Sequence, residues 1–278
     1  MRNLNGKRVL ITGAGGGLGR ELALAFAEAG SEVVVTDINA AGMIETARLI
    51  RASNGLAICL PMDVTDIDNV RHVRQRLHQQ HGPIDILVNN AGVVRGGEFL
   101  EIPLEDHLEI FEINALGTVI VTHGFLPDLI AQPEAHCVNI VSAAGMIPLP
   151  HGVTYASSKW AALGFSDSIR EELRLAGHHH VRVTAICPSY LDTTMFAGVG
   201  MPRFTRPLGA APLAHKVVRT MQANKHYLLT PWLVKIIPIS KAILPVAVGQ
   251  WLCDWLGVTR GMSGWDDGES KQATAVNL

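Results

Sequence analysis

Short apolar runs rich in β-branched residues alternate along the chain with longer segments of helical period. The runs that predict strands are Val9–Thr12, Glu32–Asp37, Ala57–Pro61, Ile84–Asn89, Cys137–Ser142, Val181–Cys187 and Tyr227–Leu229. The segments that predict helices are Leu18–Ala29, Ala40–Ala52, Asp66–His81, Pro103–Leu129, Ala156–Leu175 and Pro212–Ala223. Several strands lack the polar alternation of a half-exposed sheet, so helices should cover both faces. The pattern therefore predicts an α/β fold with a doubly wound, parallel sheet of seven strands.

Two stretches depart from this alternation. Residues 189–211 are rich in Gly, Pro, Met and Phe and follow the carboxyl end of a predicted strand, where open α/β sheets bind ligands, so we predict a substrate loop there. Residues 231–262 form an apolar extension with helical segments, but lysines and prolines keep every apolar run below the roughly 20 residues that a membrane-spanning helix needs. The chain thus divides into a catalytic domain at 1–230, the extension at 231–262 and a disordered polar tail at 263–278.

Composition excludes several classes of function. The 278 residues are 48% hydrophobic and only 17% charged, with a net charge of −2, so no broad basic face for nucleic acid is expected. The His178–His180 run lies between a predicted helix and strand and is interpreted as a solvated turn, so we expect no metal. The N-terminus enters a strand without a signal-peptide pattern, which predicts a cytoplasmic protein. Four cysteines stand far apart without metal or disulfide spacing and should be free thiols: Cys59, Cys137, Cys187 and Cys253.

A glycine-rich segment joins the first predicted strand to the first predicted helix. Its sequence, Thr12-Gly-Ala-Gly-Gly-Gly-Leu-Gly19, lets the backbone turn tightly and approach a pyrophosphate at the positive end of the helix. Asp37 ends the next strand, where a carboxylate accepts hydrogen bonds from an adenosine ribose and repels a 2′-phosphate. Ile38 follows it, and no basic residue precedes Gly17 in the loop. We therefore predict NAD, rather than NADP, as the cofactor.

Further motifs follow in an order and spacing that resemble the short-chain dehydrogenase/reductase family, of the type with one undivided Rossmann domain. Besides the glycine segment and Asp63-Val64, they are Asn89-Asn-Ala-Gly92, Asn114, Ser142 and Tyr155-Ala-Ser-Ser-Lys159. The resemblance covers about residues 5–230 and implies that Asp63 and Val64 contact adenine. The complete set of predicted cofactor-binding residues is Gly13, Gly15, Gly16, Gly17, Leu18, Gly19, Asp37, Ile38, Asp63, Val64, Asn90, Ala91, Gly92, Tyr155, Lys159, Pro188 and Thr193.

The predicted catalytic residues are Asn114, Ser142, Tyr155 and Lys159. Tyr155 and Lys159 are four residues apart and share one helical face, so the ammonium should lower the pKa of the phenol towards neutrality. The phenol would then exchange a proton with the substrate oxygen, which Ser142 would hydrogen-bond. The resemblance implies that Asn114 supports Lys159 through a bound water. Each residue alone has a structural explanation, but the joint spacing favours catalysis.

One motif departs from the family pattern. After the sixth predicted strand the family usually has Pro-Gly, whereas this chain has Pro188-Ser189-Tyr190. Serine restricts a turn that glycine would leave free, and we expect Tyr190 to narrow the nicotinamide end of the site. Thr193 should reach the carboxamide if the loop keeps its usual course.

Apolar residues near the predicted site favour a lipophilic alcohol as the substrate. They lie at Met146–Leu149, in the extension, and in the substrate loop at Met195, Phe196, Met201 and Phe204. The end of the chain is similar to the retinol- and 17β-hydroxysteroid-type dehydrogenases. The leading hypothesis is an NAD-dependent alcohol dehydrogenase or carbonyl reductase. The alternatives are a 3-oxoacyl thioester reductase and a catalytically idle NAD-binding scaffold at a membrane surface.

Two interpretations of the extension remain open. Trp232, Trp251 and Trp255, together with Lys235 and Lys241, suit a segment that rests peripherally in a membrane interface. The same residues also suit helices that cover the substrate pocket or a subunit contact. The family resemblance implies a homodimer or homotetramer.

Overall fold

A seven-stranded, fully parallel sheet forms the centre of the protein, and its strand order is β3-β2-β1-β4-β5-β6-β7. The computed structural model describes residues 1–193 and 199–265. This sheet confirms the predicted doubly wound fold. The strands are β1 (Arg8–Thr12), β2 (Glu32–Thr36), β3 (Leu56–Cys59), β4 (Ile86–Asn89), β5 (Ala135–Ile140), β6 (Val181–Pro188) and β7 (Tyr227–Thr230).

Helices cover both faces of the sheet, and the core is divided accordingly. Val9 and Ile11 of β1 belong to the cluster beneath the helices at Gly17–Glu28 and Ala210–Gln222, whereas Leu10 belongs to the cluster beneath the helices at Ile67–Gln80 and Gly117–Ala131. Successive side chains of a strand point to opposite faces, so both must be apolar when both faces are covered. The helices are α1 (Gly17–Glu28), α2 (Ala40–Ala52), α3 (Ile67–Gln80), α4 (Leu104–Phe111), α5 (Gly117–Ala131), α6 (Val153–Leu175), α7 (Ala210–Gln222), α8 (Ile237–Ile243) and α9 (Val246–Leu256).

The predicted helix Pro103–Leu129 is interrupted. A turn of π-helix at Glu112–Leu116 separates α4 from α5 and carries Asn114. The stretch Leu104–Ala131 is long and apolar enough to cross a membrane by length and composition. However, Val121 and Phe125 are fully buried in the core against the sheet. This apolar stretch therefore serves as a core helix of the domain.

All seven strands differ from the predicted runs by one or two residues at one or both ends, and the differences at β3 and β5 shape the site. β3 ends at Cys59 rather than Pro61, yet the Met62 N–H still donates to the Asp37 carbonyl at 3.1 Å. β5 ends at Ile140, so Ser142 follows the strand instead of ending it. Both changes occur at the carboxyl edge, where the chain leaves the sheet towards its ligand site.

The C-terminal extension packs onto the domain at both of its ends. After a short 3₁₀ turn at Trp232–Ile236, α8 and α9 contain no buried residue, and a second 3₁₀ turn follows at Val258–Gly264. Val234 is buried in the first turn and Met262 in the second. The tail prediction is wrong for residues 263–265, because they end this packed turn and Trp265 lies against Gly96. Residues 266–278 lie outside the described part of the chain.

Candidate active site

A cleft of about 360 Å³ opens at the carboxyl ends of the strands, where β1 lies between β2 and β4. This is the point where the strand order reverses and where doubly wound folds bind their ligands. Every residue predicted to bind the cofactor lines the cleft, except Gly15. Lining residues that the sequence prediction missed are Met62, Val93, Ile113, Ile140, Val141, Ser189 and Leu191. Most of them are adjacent in the sequence to predicted residues at strand ends. This adjacency was the sequence signal that could have identified them as lining residues.

The glycine loop is fastened to the end of β4. The Asn90 side-chain amide donates to the carbonyls of Thr12 and Gly13 at 2.9 and 3.1 Å, and Thr12 Oγ1 accepts from the N–H groups of Asn90 and Ala91. Gly13 has a φ of +64°, and an added Cβ would lie 2.9 Å from Ala91 Cα. Only glycine tolerates both conditions. Thr12 thus positions the loop, a role that the sequence prediction did not assign to it.

Asp37 lines the cleft and is held in place by backbone N–H groups. Its Oδ2 accepts from Gly15 N at 2.7 Å, and its Oδ1 accepts from Asn39 N at 2.8 Å. The Gly15 N–H therefore orients the carboxylate. Gly15 itself does not line the cleft, so its predicted contact with the cofactor stays a prediction. The side chain of Ile38 is 74% exposed beside it. The carboxylate is positioned before any ligand binds.

The residues around the cleft fit a dinucleotide. A Cβ added at Gly16 or Gly17 would have no atom within 4 Å. The loop therefore leaves open space at the start of α1. The first N–H groups of a helix have no partner within the helix and favour a phosphate. Asp63 and Val64 line the same cleft after β3. The glycine loop would hold the pyrophosphate and Asp37 the ribose.

Ser142, Tyr155 and Lys159 meet at one end of the cleft. Tyr155 and Lys159 lie on α6 and are both buried, with Lys159 Nζ 5.8 Å from the centre of the Tyr155 ring. Lys159 Nζ donates to the Ile140 carbonyl at 3.1 Å. Ser142 accepts from Ala144 N at 3.1 Å and also hydrogen-bonds Tyr155. The three side chains form the predicted group at the end of β5.

Burial controls the pKa of Tyr155 in the protein alone. It raises this pKa to about 12, and the hydrogen bond from Ser142 offsets only part of the increase. Burial also lowers the pKa of Lys159 to about 8. Loss of water penalises the phenolate, and the predicted lowering of the Tyr155 pKa by Lys159 through a ribose shared with the cofactor stays a prediction. At neutral pH Tyr155 therefore carries a proton to donate.

Asn114 lies on the π turn, and its side chain is held by Val93 and Ser158 rather than by Lys159. Its Oδ1 accepts from Val93 N at 2.8 Å, and its Nδ2 donates to the Val93 carbonyl and to Ser158 Oγ. A Cβ on Gly92 would lie 2.9 Å from Asn114 Oδ1 and 3.4 Å from Lys159 Nζ. The two side chains thus flank Gly92, and a water-mediated link between them stays a prediction. Turns of π-helix often occur at functional sites.

The loop after β6 brings Tyr190 close to the catalytic pair. Pro188, Ser189 and Thr193 line the cofactor cleft, whereas Tyr190 lines a second, small cavity together with Ser142 and Tyr155. Tyr190 does not line the cofactor cleft, so a narrowing of the nicotinamide end by its side chain stays a prediction. Ser189 is not among the residues with positive φ, so this turn does not need glycine. Met195 and Phe196 of the predicted substrate loop lie outside the described residues.

Fold and site together define a nucleotide-dependent oxidoreductase, in which a tyrosine, a lysine and a serine meet beside a dinucleotide cleft. The sequence profile of the short chain dehydrogenases matches residues 7–202. The chain therefore belongs to the short-chain dehydrogenase family. This confirms the resemblance found in the motifs.

Individual relatives refine the comparison. Epidermal retinol dehydrogenase 2 of Homo sapiens is 34% identical over 273 residues, which cover 97% of this chain and 88% of the relative. A short-chain dehydrogenase/reductase from Burkholderia phymatum, solved in complex with NAD, is 25% identical with a TM-score of 0.79 and covers 87% of this chain and 96% of its own. A metagenomic short-chain oxidoreductase, solved in complex with NADP, is 28% identical with a TM-score of 0.68. The match covers 81% of this chain and 96% of the metagenomic chain. The chain is thus similar to retinol dehydrogenases and to oxidoreductases that bind either cofactor.

Proposed function

We propose that this protein is an NAD-dependent oxidoreductase that interconverts a lipophilic alcohol and its carbonyl compound. The observation that carries the proposal is the meeting of Ser142, Tyr155 and Lys159 at one end of a cleft that fits a dinucleotide. When bound, the nicotinamide supplies the carbon that accepts or gives hydride. The protein's own residues supply the proton and orient the substrate oxygen.

The proton chemistry follows from the protonation states in the site. In carbonyl reduction, the Tyr155 hydroxyl donates its proton to the substrate oxygen, because its pKa of about 12 keeps it protonated at neutral pH. Ser142 donates a hydrogen bond to the same oxygen and stabilises its developing charge. The ammonium of Lys159 stabilises the phenolate that remains on Tyr155. Alcohol oxidation follows the same path in reverse.

A lipophilic substrate is supported by the surroundings of Tyr155. Tyr155 belongs to a buried apolar cluster whose other members are Val94, Ile110, Ala144, Leu149, Ala156 and Met262. Burial of apolar surface contributes about 25 cal/mol per Å², so such walls favour hydrocarbon over polar groups. The similarity to proteins named retinol dehydrogenases agrees with this substrate class.

The experiment that tests the function measures turnover of purified protein with NAD and NADP. The substrates are retinoids, hydroxysteroids, long-chain alcohols, small polar alcohols and 3-oxoacyl thioesters. We expect oxidation of lipophilic alcohols with NAD. Preferential reduction of a 3-oxoacyl thioester with NADPH would favour the reductase alternative. Binding of NAD without turnover of any substrate would favour the scaffold.

We expect Asp37 to set the cofactor preference. Asp37→Asn removes the charge that repels a 2′-phosphate but leaves an oxygen to accept from Gly15 N. Because hydrogen bonds to charged groups are worth about 1.5–3 kcal/mol, the NAD to NADP ratio of kcat/KM should fall roughly 10- to 100-fold. Steady-state kinetics with both cofactors provide the measurement, with Asp68→Asn on the exposed face of α3 as the control. If the ratio of kcat/KM with NAD to that with NADP is unchanged, Asp37 does not determine the cofactor preference.

We also propose that the outer face of α8 and α9 rests on a membrane surface. Large apolar side chains of α8 and α9 are exposed, including Ile243 at 73%, Val246 at 77% and Trp251 at 62%. Lys241 of α8 holds the extension to the domain, since its Nζ lies 3.7 Å from the ring centre of Trp160. Exposed aromatic and aliphatic side chains favour insertion at the boundary between headgroups and acyl chains.

Flotation with vesicles of phosphatidylcholine and phosphatidylserine tests this membrane contact. The wild type should float with the vesicles, and Ile243→Glu combined with Trp251→Glu should reduce binding roughly 10-fold or more, because each buried apolar side chain contributes about 1.5–3 kcal/mol. Ile44→Glu removes an isolated exposed apolar residue from α2 and is the matched control. Equal flotation of all three proteins would contradict a contact through α8 and α9.

A further inference from the structure

Two distant parts of the chain, residues 200–203 and residues 256–264, lie together over the substrate side of Ser142 and Tyr155. We call this pair of segments the roof. The turn at Val258–Gly264 brings Met262, which is 1% exposed, into the same apolar cluster as Tyr155. Gly200 N donates to the Gly261 carbonyl at 2.8 Å, and Arg203 N donates to the Leu256 carbonyl at 2.7 Å. These hydrogen bonds join the end of the predicted substrate loop to the C-terminal extension.

Tyr190 extends from the end of β6 to this roof. Its backbone is fixed, because the Tyr190 carbonyl accepts from Leu208 N at 2.9 Å and Asp192 N donates to the Leu208 carbonyl at 2.9 Å. A Cβ on Gly261 would lie 2.5 Å from Tyr190 Oη, so the phenol fills the space that any other side chain at Gly261 would need. Burial, reinforced by nearby Tyr155, raises the pKa of Tyr190 to about 12, and the phenol stays neutral.

The cavity that remains beside the catalytic groups is small. It holds about 30 Å³, and Ser142, Tyr155, Leu149 and Tyr190 are among the residues that line it. This volume is far below the several hundred Å³ of a pocket that encloses a whole ligand. A substrate oxygen held by Ser142 and Tyr155 places its carbon at the edge of this cavity. The substituent that points into the cavity must therefore be small.

We propose that Tyr190, seated against Gly261, is the specificity-determining residue that limits the smaller substituent on the reacting carbon. The substrate would then be a lipophilic primary alcohol or methyl carbinol, or the corresponding aldehyde or methyl ketone, whereas carbinols with two long arms are excluded. This inference rests on the proposed function and adds the geometry of the substrate to it. Tyr190 acts by occupying volume, and its hydroxyl takes no part in the proton transfer.

Isomeric decanols test the inference, because they have equal composition and nearly equal hydrophobicity but place the hydroxyl differently. With NAD, the wild type should oxidise 1-decanol and 2-decanol, and kcat/KM should fall at least about 10-fold for 3-decanol and 5-decanol, since each misplaced methylene costs roughly 1–3 kcal/mol. Tyr190→Ala should raise the ratio of kcat/KM for 5-decanol to that for 1-decanol at least about 10-fold. Tyr190→Phe keeps the volume and should leave the ratio unchanged.

Gly261→Ala provides an independent test in the opposite direction. The added methyl group must displace the Tyr190 phenol, since its carbon would lie 2.5 Å from Tyr190 Oη. If the displaced ring occupies the small cavity that Tyr190 lines, the ratio for 2-decanol against 1-decanol should fall below that of the wild type. The melting temperature and the NAD affinity of each variant report whether it folds. If Tyr190→Ala does not fold, Gly261→Ala alone decides the outcome. Active variants with the ratios of the wild type would overturn the role of Tyr190 but leave the proposed function intact. A wild type that binds NAD and oxidises no lipophilic alcohol of the panel would overturn both, whereas oxidation of hydroxysteroids but of no decanol or retinoid would overturn only the role of Tyr190.

Discussion

Replacing Tyr155 with phenylalanine will lower turnover by about 10²–10⁴-fold, the usual contribution of a positioned general acid or base. The phenylalanine ring keeps the apolar contacts of Tyr155 with Leu149 and Ala156, so the variant should fold. It loses only the hydroxyl that exchanges the proton and hydrogen-bonds Ser142. Binding of NAD should stay within about three-fold of wild type, because no charged group is removed.

The measurement for Tyr155→Phe is kcat with the best substrate of the panel, together with the dissociation constant of NAD from fluorescence titration. Tyr227→Phe is the matched control, because Tyr227 is 39% exposed at β7 and bonds Asp167 and Arg170, away from the cleft. Its activity should equal that of the wild type. Full turnover by Tyr155→Phe would disprove the assigned proton donor.

Replacing Gly19 with alanine will remove NAD binding, with a loss of affinity of roughly 100-fold or more. A Cβ at this position would lie 2.0 Å from the carbonyl oxygen of Gly13 and 2.6 Å from Asn90 Nδ2. The backbone of the glycine loop must therefore move, and the fastening of Gly13 to Asn90 is disturbed with it. Overpacking of this kind usually costs about 1–3 kcal/mol of stability.

Isothermal titration with NAD and urea unfolding without NAD separate the two effects of Gly19→Ala. Gly164→Ala on α6 is the control, since no atom lies within 4 Å of its added Cβ. That change should preserve NAD affinity and increase the free energy of unfolding by about 0.4–1 kcal/mol. Wild-type NAD affinity in Gly19→Ala would contradict the placement of the pyrophosphate at this loop.

Much of the site follows from local sequence. The glycine segment lies between a strand and a helix, and Tyr155 and Lys159 share a helical face because they are four residues apart. Neither feature depends on the rest of the chain. The end of β4 could be placed beside the glycine loop for a similar reason, because parallel strands bring their carboxyl ends to one edge of the sheet.

Other features could not be predicted because they depend on contacts between distant segments. Gly15 belongs to the glycine motif, yet its N–H donates to the carboxylate of Asp37, which follows the next strand, and so orients that carboxylate. Trp265 follows a polar sequence but packs against Gly96, so the chain is ordered beyond the predicted boundary. A local pattern contains no information about which distant residue fills a given space.

Hydrophobic periodicity and sequence motifs were sufficient to predict the sheet, the order of its helices and the family, and they nominated the candidate catalytic residues. Three further features required the folded chain: burial of Tyr155 favours its protonated form, Tyr190 lines a cavity beside Ser142 and Tyr155, and the Tyr190 phenol fills the space next to Gly261. Proton affinity and cavity volume depend on which groups exclude water from a point in space, and those groups come from segments that are brought together only when the chain folds.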